Sequence, residues 1–399
     1  MPMRWVMLLL LFLVRLSMGY QFQSVASLSS TLVEEFGFSY AEIGTLIGFF
    51  LLPGIVVSIP SGLMTRAVTD KNLLMLGAGA MVAGGIVMGM AANPSSLYWG
   101  RLLTGIGGSI FNVILTKMVS EWFFEKEIVT ALGIMLTAWP IGIVLGLHTL
   151  APIGELYGWN WAMYATAGLA LFGLLLTLWF YREAPAPAAK DTAPPRFGLP
   201  MRQFIHMSAV AIAWTMLNAA LIVAVSFGPG ALVESGYDGA SARTAASLFM
   251  WVMLFSLPLG GRAVEMLGYI TPTIVVCYLI TAGAMLAIAQ GLAPEFSYIL
   301  AGLCFGLPAG AVMALTAEAV SSGNRGPGLG IFYTWYFVGM TVAPALAGWS
   351  RDISGTAAAP IFLAAGMMVM VILFVGLLRL LQRIWPIETD AMARPAAND

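Results

Sequence analysis

Apolar residues in this chain do not alternate along a strand or gather on one face of a helix. They run on continuously for about 20 residues at a time, the length a helix needs to cross a bilayer core. Such runs cover approximately 5–32, 43–64, 73–92, 97–122, 129–151, 160–181, 204–230, 244–264, 271–291, 296–319, 328–349 and 358–384. Strands of a membrane barrel would be shorter and would alternate. In lipid a continuous apolar run must satisfy its own backbone, which a helix does. The pattern therefore predicts an all-α membrane protein with twelve transmembrane helices. Residues 1–14 carry Arg4 and an apolar stretch, as a signal peptide would, but no small-x-small cleavage site follows. They read as the first helix.

The rhythm breaks once. Between Arg182 and Pro200 five prolines (185, 187, 194, 195 and 200) alternate with alanine and charge, a composition that makes an extended linker. The expected organisation is a six-helix bundle over 1–181, a cytoplasmic linker over 182–202, a second six-helix bundle over 203–385 and a disordered tail over 386–399. The halves repeat each other. Ser58-Ile59-Pro60-Ser61-Gly62 recurs as Ser256-Leu257-Pro258-Leu259-Gly260, and Leu32-Val33-Glu34 as Leu232-Val233-Glu234. Leu132-Gly133-Ile134 with Thr137 and Gly142 returns as Leu329-Gly330-Ile331 with Thr334 and Gly339. Three matches in order at a spacing near 200 residues indicate an internal duplication, hence two pseudo-symmetric bundles. Parallel repeats of this kind place a binding site at their interface near the bilayer midplane.

Composition agrees. Hydrophobic residues make up 60% of the chain and charged residues 9%, against roughly 25% charged in soluble domains. A net charge of -1 excludes a basic nucleic-acid binder. Cys277 and Cys304 lie in separate apolar runs and read as buried structural thiols. With His148 and His206 as the two histidines, neither a metal site nor a cofactor is expected. If the N-terminus is cytoplasmic, Arg4, Arg66, Lys71, Lys126, Arg182, Arg262, Arg325, Arg379 and Arg383 fall on the cytoplasmic side, while Arg243 and Arg351 fall outside. This asymmetry predicts two cytoplasmic termini. Trp5, Trp99, Trp122, Trp159, Trp179, Trp349 and Trp385 stand near helix ends, as an interfacial belt requires.

With these features the chain resembles the major facilitator superfamily over essentially its whole length. The family's loop between helices two and three reads Gly-x-x-x-Asp-Arg-x-Gly-Arg-Lys. Here Gly62 is followed by Arg66 at the acid's place, Thr69 at the second glycine's, and Lys71. The equivalent loop of the second half, Gly261-Arg262-Ala263-Val264-Glu265-Met266-Leu267-Gly268, keeps an acid at Glu265. The resemblance implies a cytoplasmic latch, weakened in the first half by the lost acid. Arg101-x-x-x-Gly105-x-Gly107 matches the family's fourth-helix motif. Within the superfamily the chain looks most like bacterial cyanate-permease-type members. The drug–proton antiporters fit less well, since the fifth helix has Trp139-Pro140 where they carry Gly-Pro.

Charge inside the membrane costs several kcal/mol, roughly 2.5–3.5 on insertion scales, and is functional by default. Arg15 lies about ten residues into the first helix, roughly 15 Å deep. Gly19, Phe22 and Ala26 share its face, with Gln23 at the edge. A guanidinium over a small residue and beside an aromatic suits a planar anion held by paired hydrogen bonds; the competing reading is a structural Arg bonded to backbone. Arg101, with Gly105, Gly108, Asn112 and Thr116 on its face, divides evenly between helix packing and substrate contact. Lys117 lies near the inner surface at a depth comparable to that of Glu318, and the two can pair across the halves as a gate. Asn218 is an isolated polar residue on the seventh helix, and Tyr333 and Phe337 share a face of the eleventh.

The expected function is secondary transport of a small anion or organic acid by alternating access in the bacterial inner membrane. Arg15 is the primary ligand and Arg101 a candidate second one. Gln23, Asn112 and Asn218 supply neutral hydrogen bonds, and Phe22 and Tyr333 form walls. The alternative is an efflux pump for lipophilic compounds, which needs no arginine. No clustered nucleophile or phosphate cradle suggests an enzyme. The partners expected are an anionic small molecule and the lipid bilayer, with the chain acting as a monomer.

Overall fold

The computed structural model describes residues 3–56, 68–123, 127–184, 199–321 and 324–387. Those residues form thirteen helices and no strand: α1 (Met3–Ser27), α2 (Ser29–Phe36), α3 (Tyr40–Phe49), α4 (Asp70–Gly89), α5 (Pro94–Trp122), α6 (Ile128–Tyr157), α7 (Trp159–Phe180), α8 (Met201–Glu234), α9 (Gly239–Leu267), α10 (Ile270–Ala289), α11 (Pro294–Glu318), α12 (Arg325–Ser354) and α13 (Ala359–Ile384). Eleven are long and apolar enough to cross a membrane, and twelve spans result if the bent pair Ser29–Phe36 and Tyr40–Val56 counts as one.

The first two spans differ from the expectation of 5–32 and 43–64. Helix α1 ends at Ser27, and the chain then bends by 118° between α2 and α3. Gly37 makes the bend with φ 69 while its N–H caps the Val33 carbonyl; only glycine takes that conformation without strain. Helix α3 starts on a capping box in which Ser39 and Glu42 satisfy each other's backbone amides. Residues 57–67, which complete the expected second span and carry Gly62 and Arg66, lie outside the described residues, as do 185–198 of the linker and 388–399 of the tail.

The duplication is visible in the helices. Asp70–Gly89 and Ile270–Ala289 have 20 residues each, and Ile128–Tyr157 and Arg325–Ser354 have 30 each. Helices α5 and α11 both open with proline in the first turn, where its missing N–H costs nothing. Helix α8 runs unbroken from Met201 to Glu234, while its counterpart is interrupted at Leu28.

The described chain divides into two compact units. One comprises Met1–Asp191 with Thr341–Gly355, and the other Thr192–Met340 with Thr356–Asp399. Within the first unit α1 and α6 approach at backbone distance. A Cβ on Gly19 would stand 2.3 Å from the Trp139 carbonyl oxygen, and one on Gly142 would stand 2.3 Å from that of Leu16. Lipid gives helices no hydrophobic reason to associate, so close van der Waals contact through small residues holds them. Trp99, Trp179 and Trp349 are largely exposed near helix ends, whereas Trp159 is buried. Its ring lies 5.2 Å from that of Phe36, which takes it out of the expected interfacial belt.

Candidate functional site

Arg101 is fully buried. Its Nε donates to the Leu46 carbonyl at 2.9 Å, Nη1 to the Gln21 carbonyl at 2.9 Å and to Ser24 Oγ at 3.5 Å, and Nη2 to the Phe22 carbonyl at 2.7 Å. The guanidinium lies 4.9 Å from the Phe50 ring centroid and 5.7 Å from that of Phe22. It thus ties α5 to α1 and α3, using a planar fork that lysine cannot reproduce. Phe22 belongs to this cluster: it is 1% exposed and packs against Phe50 at 5.5 Å and Trp139 at 5.0 Å. Gly105 holds α5 against α3, since a Cβ there would stand 2.5 Å from the Phe50 carbonyl oxygen.

Arg15 stands apart from that cluster of ligands. It is 7% exposed, and its Nη2 approaches Asn112 Oδ1 at 3.4 Å. The structure thereby brings together two of the residues expected at the site, one from α1 and one from α5. Gln23 lies two turns further along α1, 1% exposed, with both amide atoms buried and unpartnered among the described residues. It packs on Gly146 of α6, where Ser27 Oγ also donates to the Gly146 carbonyl at 3.3 Å. Tyr20 accepts from Thr149 Oγ1 at 3.0 Å. Arg15 thus faces α5, whereas Tyr20, Gln23 and Ser27 face α6.

The expected pairing of Lys117 with Glu318 is not what the structure shows. Lys117 Nζ contacts Asp70 at 2.6 Å and Glu121 at 3.2 Å, while Glu318 pairs with Arg379, which also donates to Gln382 and Thr271. A nearer partner of opposite charge satisfies each group: for Lys117, Glu121 sits one helical turn away and Asp70 stands at the start of α4. Burial and the Asp70 carboxylate both push the Tyr181 phenol up from its ordinary range. Lys71 Nζ donates to the Leu178 carbonyl at 2.9 Å. Gly261 and Glu265 lie on α9, and Gly268 caps that helix with φ 69. In the second unit Asn218 Nδ2 bonds the Trp214 carbonyl of its own helix at 2.8 Å. Tyr333, 45% exposed, stands edge-on to Phe332 at 5.4 Å.

Sequence reasoning passed over Asp70, Glu121, Gln21 and Phe50. The i,i+4 spacing of Lys117 and Glu121 was a usable signal. The bonds of Gln21 Nε2 to the Met81 carbonyl and to Thr166 had none.

Comparison with known proteins fits this architecture. The family model of the Major Facilitator Superfamily matches residues 7–233, more than half of the chain. The chain belongs to that superfamily and is a transporter rather than an enzyme. A D-galactonate transporter of Escherichia coli O6:H1 is 25% identical over 187 residues, 47% of this chain and 43% of that protein. A hexuronate transporter of Bacillus subtilis strain 168 is 22% identical over 378 residues, 88% of this chain and 89% of that protein. Among solved structures, the xylose transporter XylE of E. coli in an inward-open conformation superposes with a TM-score of 0.78 at 14% identity, covering 96% of this chain and 100% of that one. That likeness establishes the fold.

Proposed function

We propose that this chain carries a small organic acid anion across the bacterial inner membrane by alternating access, with Arg15 as the principal ligand of the carboxylate. The observation that carries the reading is the Arg15 side chain itself, buried well inside a membrane-spanning helix with the neutral Asn112 amide beside it. A guanidinium at that depth is costly, and it presents a carboxylate with two parallel donors. Gln23 is the next ligand, an amide able both to donate and to accept. Arg101 and Phe22 act behind them, fixing the backbone of α1 through the Gln21 and Phe22 carbonyls. Asn218 and Tyr333 are proposed contributors from the second unit. The names of the relatives, which concern sugar acids, support a carboxylate substrate of that size. Both termini face the cytoplasm in this reading, and the chain works as a monomer.

The test is a thermal-shift screen of the purified protein against small carboxylates, repeated on Arg15→Gln. A carboxylate that stabilises the parent and leaves the variant unmoved supports the assignment. Stabilisation of both proteins by lipophilic compounds, with no response to any anion, overturns it in favour of efflux.

A further inference from the structure

The two cysteines of the chain lie on consecutive helices of the second unit, Cys277 on α10 and Cys304 on α11. Residues 290–293 join these helices in a tight turn. The Gly291 N–H closes it on the Ile288 carbonyl at 3.0 Å, and the Tyr237 hydroxyl donates to the Gly291 carbonyl at 3.1 Å. At about 1.5 Å per residue, Cys277 stands roughly 18 Å before the turn and Cys304 roughly 15 Å after it. The two residues therefore meet at one depth. Their thiols are hydrogen-bonded to each other and are not joined covalently.

Helical phase explains why they face. Gly302 turns toward α9, where a Cβ would stand 2.7 Å from the Phe249 carbonyl oxygen. Cys304, two residues on, takes the opposite side of α11 and meets α10. Both cysteines are buried, at 9% and 6% exposure, yet their chain neighbours Val276 and Leu303 are 56% and 42% exposed. Those neighbours lie on the apolar outside of membrane-spanning helices, so hydrocarbon begins one residue away from each thiol. No charged residue stands within one helical turn of either cysteine along its own helix.

We propose that Cys277 and Cys304 are a modification site, a dithiol that closes to a disulfide between α10 and α11 when an organic hydroperoxide reaches it from the lipid. One sulfur attacks the terminal peroxide oxygen and the O–O bond breaks. The thiol proton leaves with the alkoxide as an alcohol, and a sulfenic acid remains. The second sulfur attacks the first. The S–O bond breaks as the S–S bond forms, and the hydroxyl departs as water with the second thiol's proton. The peroxide takes up the two electrons that the sulfurs lose. A thiolate is the attacking form, and the partner's S–H is the donor at hand to hold it where water is absent. Dithiol and disulfide are both neutral, so the completed change leaves no charge in a medium that penalises it. The proposal does not depend on which substrate is carried.

Full-length protein in nanodiscs is treated with cumene hydroperoxide or, separately, with oxidised glutathione, then unfolded in dodecyl sulfate and labelled with a maleimide. The parent loses both labelled thiols together to cumene hydroperoxide. Its intact mass falls by two hydrogens, peptide mapping finds Cys277 joined to Cys304, and reduction of the unfolded chain restores both labels. Oxidised glutathione, too polar for hydrocarbon, acts at least tenfold more slowly. Cys277→Ser and Cys304→Ser each lose their remaining thiol to cumene hydroperoxide at least tenfold more slowly than the parent. Thiols still open to label after the peroxide, their conversion to separate sulfinic or sulfonic acids, or a disulfide between two chains would overturn the proposal. So would parental rates of thiol loss in the serine variants, or closure by oxidised glutathione as fast as by the peroxide.

Discussion

Replacing Arg101 by lysine keeps the charge and removes the fork. In the structure Nε, Nη1 and Nη2 reach carbonyls on two different helices, at 2.7 to 2.9 Å. A lysine ammonium is a single point on a flexible stem and serves one of these directions at a time. Two charge-assisted hydrogen bonds are then lost at roughly 1.5–3 kcal/mol each. The Gln21 and Phe22 carbonyls retain their partners in the ladder of α1, which holds the cost to the lower end of that range. Stacking over Phe50 and Phe22 is weakened as well. The expected loss for Arg101→Lys is about 3 kcal/mol, and Arg101→Leu, which strands no charge, loses a similar amount. Unfolding of the purified protein in rising dodecyl sulfate, followed by tryptophan fluorescence, measures both against the parent. Asn112→Ala, which removes one contact of 3.4 Å, serves as a mild comparison at about 0–1 kcal/mol. A lysine variant within about 1 kcal/mol of the parent would refute the reasoning, because charge alone would then suffice where geometry is argued to decide.

Three further outcomes are expected. Gly142→Val overpacks the α1–α6 contact, where even a Cβ alone would stand 2.3 Å from the Leu16 carbonyl oxygen, and loses about 1–3 kcal/mol; Gly133→Val, in open space, stays close to parent in the same unfolding assay. Lys117→Met leaves the largely buried Asp70 and Glu121 carboxylates without their cation. It costs about 1–3 kcal/mol, reduced from the fully buried case because Lys117 is partly exposed, and adding Asp70→Asn recovers part of the loss in a double-mutant cycle. Asp238 caps α9 through the Ala240 and Ser241 amides, and the Ser241 side chain and backbone hold its carboxyl below the usual range. Its contribution is therefore present above the unfolded aspartate pKa of about 3.9 and fades as pH falls through the lower folded value. Exchange protection of Ala240 and Ser241 should follow that fall in the parent and be absent at every pH in Asp238→Ala.

The helices and their number were legible because the hydrocarbon core imposes a length on each span and forbids unpaired backbone. The duplication was legible because three short matches recur in order about 200 residues apart, and the paired helix lengths agree with it. The break of the first long helix at Leu28 was not, since the apolar run crosses it without a proline or glycine at that position. Gly37 marks the later bend, but a glycine in a loop carries no angle. Arg15 and Asn112 were brought together by reading helix faces one at a time, because depth and phase fix where a side chain can reach. The environment of Arg101 escaped that reading. Helical phase shows which way an arginine points, whereas its acceptors are carbonyls of other helices, and carbonyls are invisible to residue type. The same limit explains why Lys117 was matched with Glu318. Depth was used where distance decides, and the nearer acids at Asp70 and Glu121 take the ammonium first.

The central claim concerns Arg15, and transport measured directly tests it best. The purified protein is reconstituted in liposomes loaded with galactonate, glucuronate or gallate, and counterflow of the same labelled acid is followed in the parent, Arg15→Gln, Arg15→Lys and Asn112→Ala. The account predicts accumulation of at least one of these carboxylates by the parent, a loss of at least tenfold in Arg15→Gln, partial recovery in Arg15→Lys and a smaller defect in Asn112→Ala. Counterflow by Arg15→Gln at the parental rate would contradict it.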